Sequence, residues 1–497
     1  MRVKKKNWMS GHVIPFLFLA LFSLILITFG TAAGPKPGDT ATPIKHVVII
    51  FQENNSFDHY FGTYPHAQPV NGKVVFHPKD DTPKINGLTE DLLTHNQNSA
   101  QPFLLTVQNI CDQDNAYKSE QQAYDQGAAD EFVEFTEGTG CTVPYEVMGY
   151  YDGSIVTAMW NYAQNYAMSD NFYGTTFGPT CVGHINLISG QTHGAVPATA
   201  TSKVVDGTLN VNIDPTYDNF STGDTIAMTG KNMGDLLNAK NITWGAFVGG
   251  FADPNATSVC NAGTTLSYNP HYDPFQYYAS TANPAHLPPT SVAMIGHNDQ
   301  ANHNYDLSDF WNALDAHNLP AVSYVKGLPT QTGHPGDSSP ACEQQFLVDT
   351  INRLQKSPEW KDMAIFVTYD DSDGWYDHQA PPVVNPSSST VDPAFSHESS
   401  NPPLGGYEAR AGYGPRLPLL VISPFAKDNY VDHGINDQTS ILRFVEDNWD
   451  LGRIGDSSFD VLAGSLKPMF DFDDSPRQDR LFLDPNTGQA ANFHGGI

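Results

Sequence analysis

The sequence predicts an α/β fold: a mostly parallel central sheet, helices on both faces, and a loop-rich insertion or cap. Three observations carry that expectation. Residues 46–51 and 364–369 are continuous apolar, β-branched runs, which suit strands covered on both faces. Residues 417–422 form a third such run and 321–325 a weaker fourth. Amphipathic helical patterns lie between them, and strand, polar loop and helix in alternation describe a layered parallel sheet.

Taken in chain order, the first element is not part of the fold. Arg2, Lys4, Lys5 and Lys6 precede an apolar run over 13–29, and Thr31-Ala32-Ala33 offers small residues for cleavage. Residues 1–33 therefore read as a signal peptide of bacterial-type export, giving a secreted or periplasmic chain. The alternative is an uncleaved anchor, since the run sits near the short limit for a membrane span. Residues 34–42 are a Pro/Gly linker, and 43–497 read as one domain. Within it, 195–290 are rich in Thr, Asn, Asp and Gly, with short β-like pieces at 209–213 and 242–248; these read as an elaborated insertion. Helices are predicted over 307–316, over 343–356 with Phe346, Leu347, Ile351 and Leu354 on one face, and over 437–449 with Ile441, Leu442 and Val445 inward. Residues 381–406 are Ser/Pro-rich and predict a surface loop. The tail, 451–497, lacks strong periodicity and is expected to wrap the domain.

Charge narrows the partners. Lys and Arg total 25 against 54 Asp and Glu, a formal net charge of −29. Such a field repels phosphate backbones, so no nucleic-acid partner is expected. An anionic substrate must then meet a local positive feature, and a metal ion is the natural one. No feature calls for an obligate protein partner. Without a cationic amphipathic helix, any membrane-surface contact is expected to be transient, through the aromatics Tyr272, Phe275, Tyr277 and Tyr278. Of the five cysteines, Cys111, Cys141, Cys181, Cys260 and Cys342, one or two disulfides are expected in an oxidising compartment, with the pairing open. No C-x-x-C pair supports a zinc knuckle.

Four polar clusters carry the chemistry. Glu53 and Asn54 directly follow the first buried strand. Gly178-Pro179-Thr180-Cys181 places a hydroxyl near a helix start, where backbone N–H groups face an oxyanion. Asp370-Asp371 closes the second buried strand, followed by Asp373-Gly374-Trp375-Tyr376-Asp377-His378. The last cluster is a set of histidines, His297, His303 and His334. Ligands in open α/β sheets bind outside the carboxyl ends of strands, where the first and third clusters sit. Two adjacent carboxylates repel each other unless a cation joins them. Glu53, Asn54, Asp370, Asp371 and the Thr180 hydroxyl make an oxygen-rich set of about five ligands, a number that hard and borderline cations accept. One divalent ion is expected, with zinc, calcium, manganese and iron all compatible. Such an ion lowers a hydroxyl pKa and stabilises phosphoryl charge. Histidines would supply the hydrogen bonds and the proton for the leaving group.

The same residues resemble a known family. Glu53-Asn54-x-Ser56-Phe57-Asp58-His59-Tyr60-Phe61-Gly62 is similar to the opening signature of the bacterial phosphoesterase family, which joins secreted phospholipases C with certain acid phosphatases. Phe177-Gly178-Pro179-Thr180 with Ser189-Gly190, Asn302-His303-x-Tyr305-Asp306-Leu307 and 369–378 are further points of resemblance. Residues 412–418 and 437–441 complete it. The resemblance implies an alkaline-phosphatase-like three-layer sandwich with one metal bound by Glu53, Asn54, Thr180, Asp370 and Asp371. It implies Thr180 as nucleophile, through a phosphoryl-enzyme intermediate, and His303 and His334 on the phosphate. His95, Asn115, His297 and His378 are further candidates for the substrate phosphate. Relatives carry histidine where this chain has Asn115, so Asn115 or His95 would stand in for it. Asn54-Asn55-Ser56 is formally a glycosylation sequon, expected to be unmodified because a glycan would block the ligand.

The expected function is a secreted, metal-dependent phosphoesterase of phospholipase C type, acting on a phospholipid or phosphocholine-like ester. An acid phosphatase taking monoesters at the same site is the alternative. A catalytically inactive secreted binding protein is the remote one, to which the missing histidine lends weight. A sulfatase is disfavoured, because Cys181 is followed by Val182-Gly183 and not by a Cys-x-Pro-x-Arg pattern.

Overall fold

An eight-stranded mixed sheet organises the chain in the computed structural model. The structure describes residues 39–491 apart from 70–74, 198–203, 261–262 and 394–400. The signal-peptide reading and the first part of the linker lie outside the described residues. The strands are β1 (His46–Gln52), β2 (Ala167–Ser169), β3 (Trp244–Val248), β4 (Asn304–Asp306), β5 (Val322–Lys326), β6 (Met363–Tyr369), β7 (Leu419–Ile422) and β8 (Tyr430–Asp432). Their order across the sheet is β4-β3-β5-β1-β6-β7-β2-β8. All neighbours run parallel except β7, which is antiparallel to both β6 and β2.

The apolar runs became strands for the reason their composition predicts. Val47 to Gln52 of β1 and all of β6 are buried, on alternate residues of both faces. The faces are covered by different helices. On one, Phe366 meets Phe444 of α7 (Gln438–Trp449), ring centroids 5.3 Å apart. Three residues on, and so on the opposite face, the Tyr369 hydroxyl donates to Glu343 of α6 (Pro340–Lys356) at 2.6 Å. Helix α4 (Thr180–Ser189) packs beside α7, and α3 (Thr157–Asn165) beside α6. The remaining labelled helices are α1 (Phe57–Phe61), α2 (Tyr117–Ala123) and α5 (Leu307–Asp315), the last with Phe310, Ala313 and Leu314 buried.

Two sequence expectations need correction. Residues 195–290 are not an insertion throughout: Trp244–Val248 is β3, a parallel strand between β4 and β5 in the main sheet. Only the small three-stranded and hairpin elements around it stand apart. The third apolar run, 417–422, also points the other way. Because β7 is antiparallel, its amino end lies at the carboxyl edge of β6, and Ser423 Oγ donates to the Met363 carbonyl at the opposite edge. Beyond Leu451 the chain runs over β7 and α6: Asp471 N donates to Phe425 O, and Leu481 N and Leu483 N donate to Gln355 and Asn352. The described residues belong to one compact unit. Among the described residues, no helix is long and apolar enough to cross a membrane.

Candidate active site

Register brings the first two carboxylates together. In the parallel pair β1–β6, the last partners are Gln52 and Tyr369. Glu53 and Asp370 each follow by one residue, so both carboxylates leave the same edge of the sheet on neighbouring strands. Backbone bonds clamp the two loops: Asp370 N donates to Gln52 O at 3.2 Å, and Asn55 N to Asp371 O at 3.0 Å. Gln438, at the start of α7, donates to the Asp370 carbonyl at 2.6 Å.

The amino end of α4 meets this edge through a glycine. A Cβ at Gly183 would stand 2.1 Å from the Asp370 carbonyl oxygen, so only glycine lets the helix approach. Thr180 opens that helix and is buried; His184, four residues on, shares its face. The preceding turn is fixed by Glu120 of α2, a buried carboxylate whose oxygens accept from Gly178 N at 2.9 Å and Ser372 Oγ at 2.7 Å. Glu120 thus ties the Thr180 turn to the Asp-Asp loop. Burial, then the neighbouring Asp371, pushes its pKa well above the usual carboxylate range.

Asn54 is aimed by strain and by one hydrogen bond. Its φ is +47°, in the left-handed region that asparagine tolerates. Its Nδ2 donates to Asp373 Oδ1 at 3.2 Å, which leaves Oδ1 buried without a donor. Asn115 donates to both oxygens of Asp371, at 3.2 and 3.1 Å. Asp370 is pushed well above the carboxylate range by burial and by Glu53 and Asp371. Asp371 rises to about 7, through burial and, against hydrogen bonds from Asp373 N and Asn115, through Glu53.

These atoms fit a cation. Glu53 Oε2, Asn54 Oδ1 and Asp370 Oδ2 are buried without a hydrogen-bond donor, although buried polar atoms are nearly always paired. Three carboxylates, Glu53, Asp370 and Asp371, face one buried ammonium, Lys326, whose Nζ is 2.5 Å from Glu53 Oε1. The net of two negative charges is what one divalent ion balances. A cleft of about 370 Å³ opens alongside, lined by Asn115, Lys118, Pro179, Val211, Asn212 and Val391 among others.

The histidines divide. His334 lies at the rim: Nε2 is 3.9 Å from Glu53 Oε2, and Nδ1 is 2.7 Å from the Pro335 carbonyl. Burial works against its proton, but Glu53 and Asp112 hold its pKa above the usual imidazole range. His303 is elsewhere. It precedes β4 at the amino edge of the sheet, stacked on Trp244, with Nε2 2.7 Å from Asn298 Oδ1. His297 lines a small pocket there with it. Because β4 runs parallel to β3, residues before it face away from the carboxyl edge, so neither histidine reaches the carboxylates. His95 is exposed and paired with Asp91. His378 bonds Asp58 at 2.6 Å in a neighbouring cluster.

Sequence reasoning missed Lys326, Glu120 and His184. The i+4 spacing from Thr180 to His184, and a lysine closing an apolar strand, were the available signals. The four aromatics proposed for lipid contact are buried. Two of them bond to the Thr180 helix instead: Tyr277 donates to Cys181 Sγ and Ile213 O, and Tyr278 to Ser189. Cys181 is a free, buried thiol raised to about 12 by burial, a core residue beside Thr180. The disulfides are Cys111–Cys141 and Cys260–Cys342. Asn54 is fully buried, so its sequon leaves no room for a glycan.

Comparison with known proteins identifies the family. Residues 44–452 match the Phosphoesterase family. A non-hemolytic phospholipase C of Pseudomonas aeruginosa is 25% identical over 467 residues, 90% of this chain; the chain spans 60% of that relative's length. Phospholipase C A of Mycobacterium tuberculosis is 24% identical over 486 residues, 93% of this chain and 84% of the relative. Among solved structures, a protein in the alkaline phosphatase superfamily from Vibrio parahaemolyticus overlays with a TM-score of 0.30 at 12% identity, covering 62% of this chain and 65% of that one.

Proposed function

This chain belongs to the Phosphoesterase family, whose members are hydrolases of phosphate esters, and from that premise we propose that it is an exported phosphoesterase of phospholipase C type with Thr180 as its nucleophile. The observation that carries the reading is the set of donor-less oxygens on Glu53, Asn54 and Asp370 at the edge where α4 begins. The relatives named phospholipase C support a phosphodiester with a lipid alcohol as substrate.

Glu53, Asn54, Asp370 and Asp371 would hold one divalent cation. When bound, that cation lowers the Thr180 hydroxyl pKa and draws charge from a phosphoryl oxygen. Thr180 Oγ1 attacks phosphorus, the bond to the diacylglycerol oxygen breaks, and the phosphoryl headgroup stays on Thr180 until water releases it. His334, with Nε2 at the rim 3.9 Å from Glu53 Oε2, donates to the departing oxygen. Asn115 and Glu120 hold Asp371 and the Thr180 turn in register. The cleft beside Pro179 receives the alcohol.

The test compares a chromogenic choline phosphodiester with a chromogenic phosphomonoester, on wild type and Thr180→Ala. The expected result is preference for the diester and a loss on the order of 10³-fold or more in the variant. Preference for the monoester points to an acid phosphatase. Wild-type turnover by Thr180→Ala rejects the mechanism.

A further inference from the structure

Lys326 closes β5 with its side chain fully buried. Its Nζ lies 2.5 Å from Glu53 Oε1 and 3.1 Å from His184 Nε2, between the rings of Tyr272 and Phe51 at 4.6 and 4.8 Å. The imidazole orientation follows from its other nitrogen. His184 Nδ1 is 2.8 Å from the His271 carbonyl, which can only accept, so Nδ1 carries the hydrogen and Nε2 presents a lone pair. That lone pair faces an ammonium, which can only donate.

The same Nε2 is 3.3 Å from Asp370 Oδ2 and 3.5 Å from Glu53 Oε1. One imidazole nitrogen and two carboxylate oxygens, all within 4.8 Å of one another, form a donor set that borderline divalent ions accept. The ammonium contacts two of these three atoms, Glu53 Oε1 and His184 Nε2. We propose that Lys326 fills a second cation position with its own side chain, and that removing it opens a nitrogen-containing metal site on His184, Glu53 and Asp370. Glu53 and Asp370 then serve both positions: Glu53 Oε1 is committed to Lys326, Glu53 Oε2 is left for the ion of the first site, and Asp370 Oδ2 borders both. The charges agree. Among the groups that hold the two positions, three carboxylates, one ammonium and one divalent ion sum to neutrality, whereas a second divalent ion beside Lys326 adds positive charge that none of them compensates. The proposal rests on the reading of Glu53, Asn54 and Asp370 as a cation centre.

Chelator-stripped wild type, Lys326→Met and Lys326→Arg are titrated with Mn²⁺ alone. Bound ion is counted by elemental analysis, and imidazole nitrogen is sought by electron spin echo spectroscopy. Wild type and Lys326→Arg are expected to bind one ion with no nitrogen coupling from His184. Lys326→Met is expected to bind two, with a coupling that His184→Gln abolishes. A folded Lys326→Met that still binds one ion overturns the proposal. So does a wild type that binds two, or one whose nitrogen coupling disappears in His184→Gln; these wild-type results stand even if Lys326→Met does not fold. A wild type that binds no Mn²⁺ overturns the cation-centre reading as well.

Discussion

Two clusters of buried carboxylates grow from the same pair of loops and reach opposite electrostatic states. Glu53, Asp370 and Asp371 come from the beginnings of the loops after β1 and β6; Asp58 and Asp377 come from further along the same loops. In the second cluster every charge is answered. Arg416 lies over Phe57, with Nη2 3.0 Å from Asp58 Oδ1 and Nε 3.1 Å from Asp377 Oδ2. Its Nη1 donates to the carbonyls of Asn86 and Asp170 at 2.7 and 2.9 Å. His378 takes Asp58 Oδ2 at 2.6 Å. The first cluster has one lysine for three carboxylates and leaves three oxygens without donors. By residue type alone, each cluster contains a group that could hold a metal. Compensation separates them: the cluster closed by Arg416 locks α1 against the loop after β6, and the cluster left short of charge is the one proposed to hold the cation.

The largest way to break that contrast is to remove its closing charge. Arg416→Met leaves Asp58 and Asp377 buried without their main partner, and destabilisation of about 3–5 kcal/mol is expected. Denaturant unfolding checks this; a loss within experimental error would mean that the cluster holds nothing together.

The contrast sharpens at a smaller scale with pH. Burial pulls the His378 imidazole down, but the charge and hydrogen bond of Asp58 lift its pKa above the usual 6.5. A group raised on folding contributes fully below its unfolded pKa, and that contribution is lost as pH rises through the folded value. The stability gap between wild type and His378→Gln is therefore expected to be widest below pH 6.5, on the order of 1–2 kcal/mol, and to narrow in alkali. A gap that widens with pH in thermal unfolding would reverse the assignment.

The parts of the fold that were legible in the sequence are those governed by local composition. β1 and β6 are buried on both faces, and unbroken β-branched runs announced them. Because they pair in parallel register, the residues that follow each strand, Glu53 and Asp370, leave the same edge of the sheet. What depends on strand direction or on distant contacts was not legible. Composition does not show that β7 reverses, nor that β3 belongs to the main sheet. His303 was drawn to the site by type, yet it enters β4 from the wrong edge. Conversely, Glu120 lies in a polar helix, and only the folded chain puts its oxygens on Gly178 and Ser372.

The most direct test of the contrast sets one aspartate from each cluster side by side. Mn²⁺ is titrated into chelator-stripped wild type, Asp370→Asn and Asp377→Asn, each verified as folded, and binding is measured calorimetrically. The expected result is that Asp370→Asn loses affinity by at least about a hundredfold, while Asp377→Asn keeps the wild-type stoichiometry and affinity. Wild-type binding by Asp370→Asn, or loss of binding in Asp377→Asn alone, would place the ion in the cluster that Arg416 closes and contradict the account.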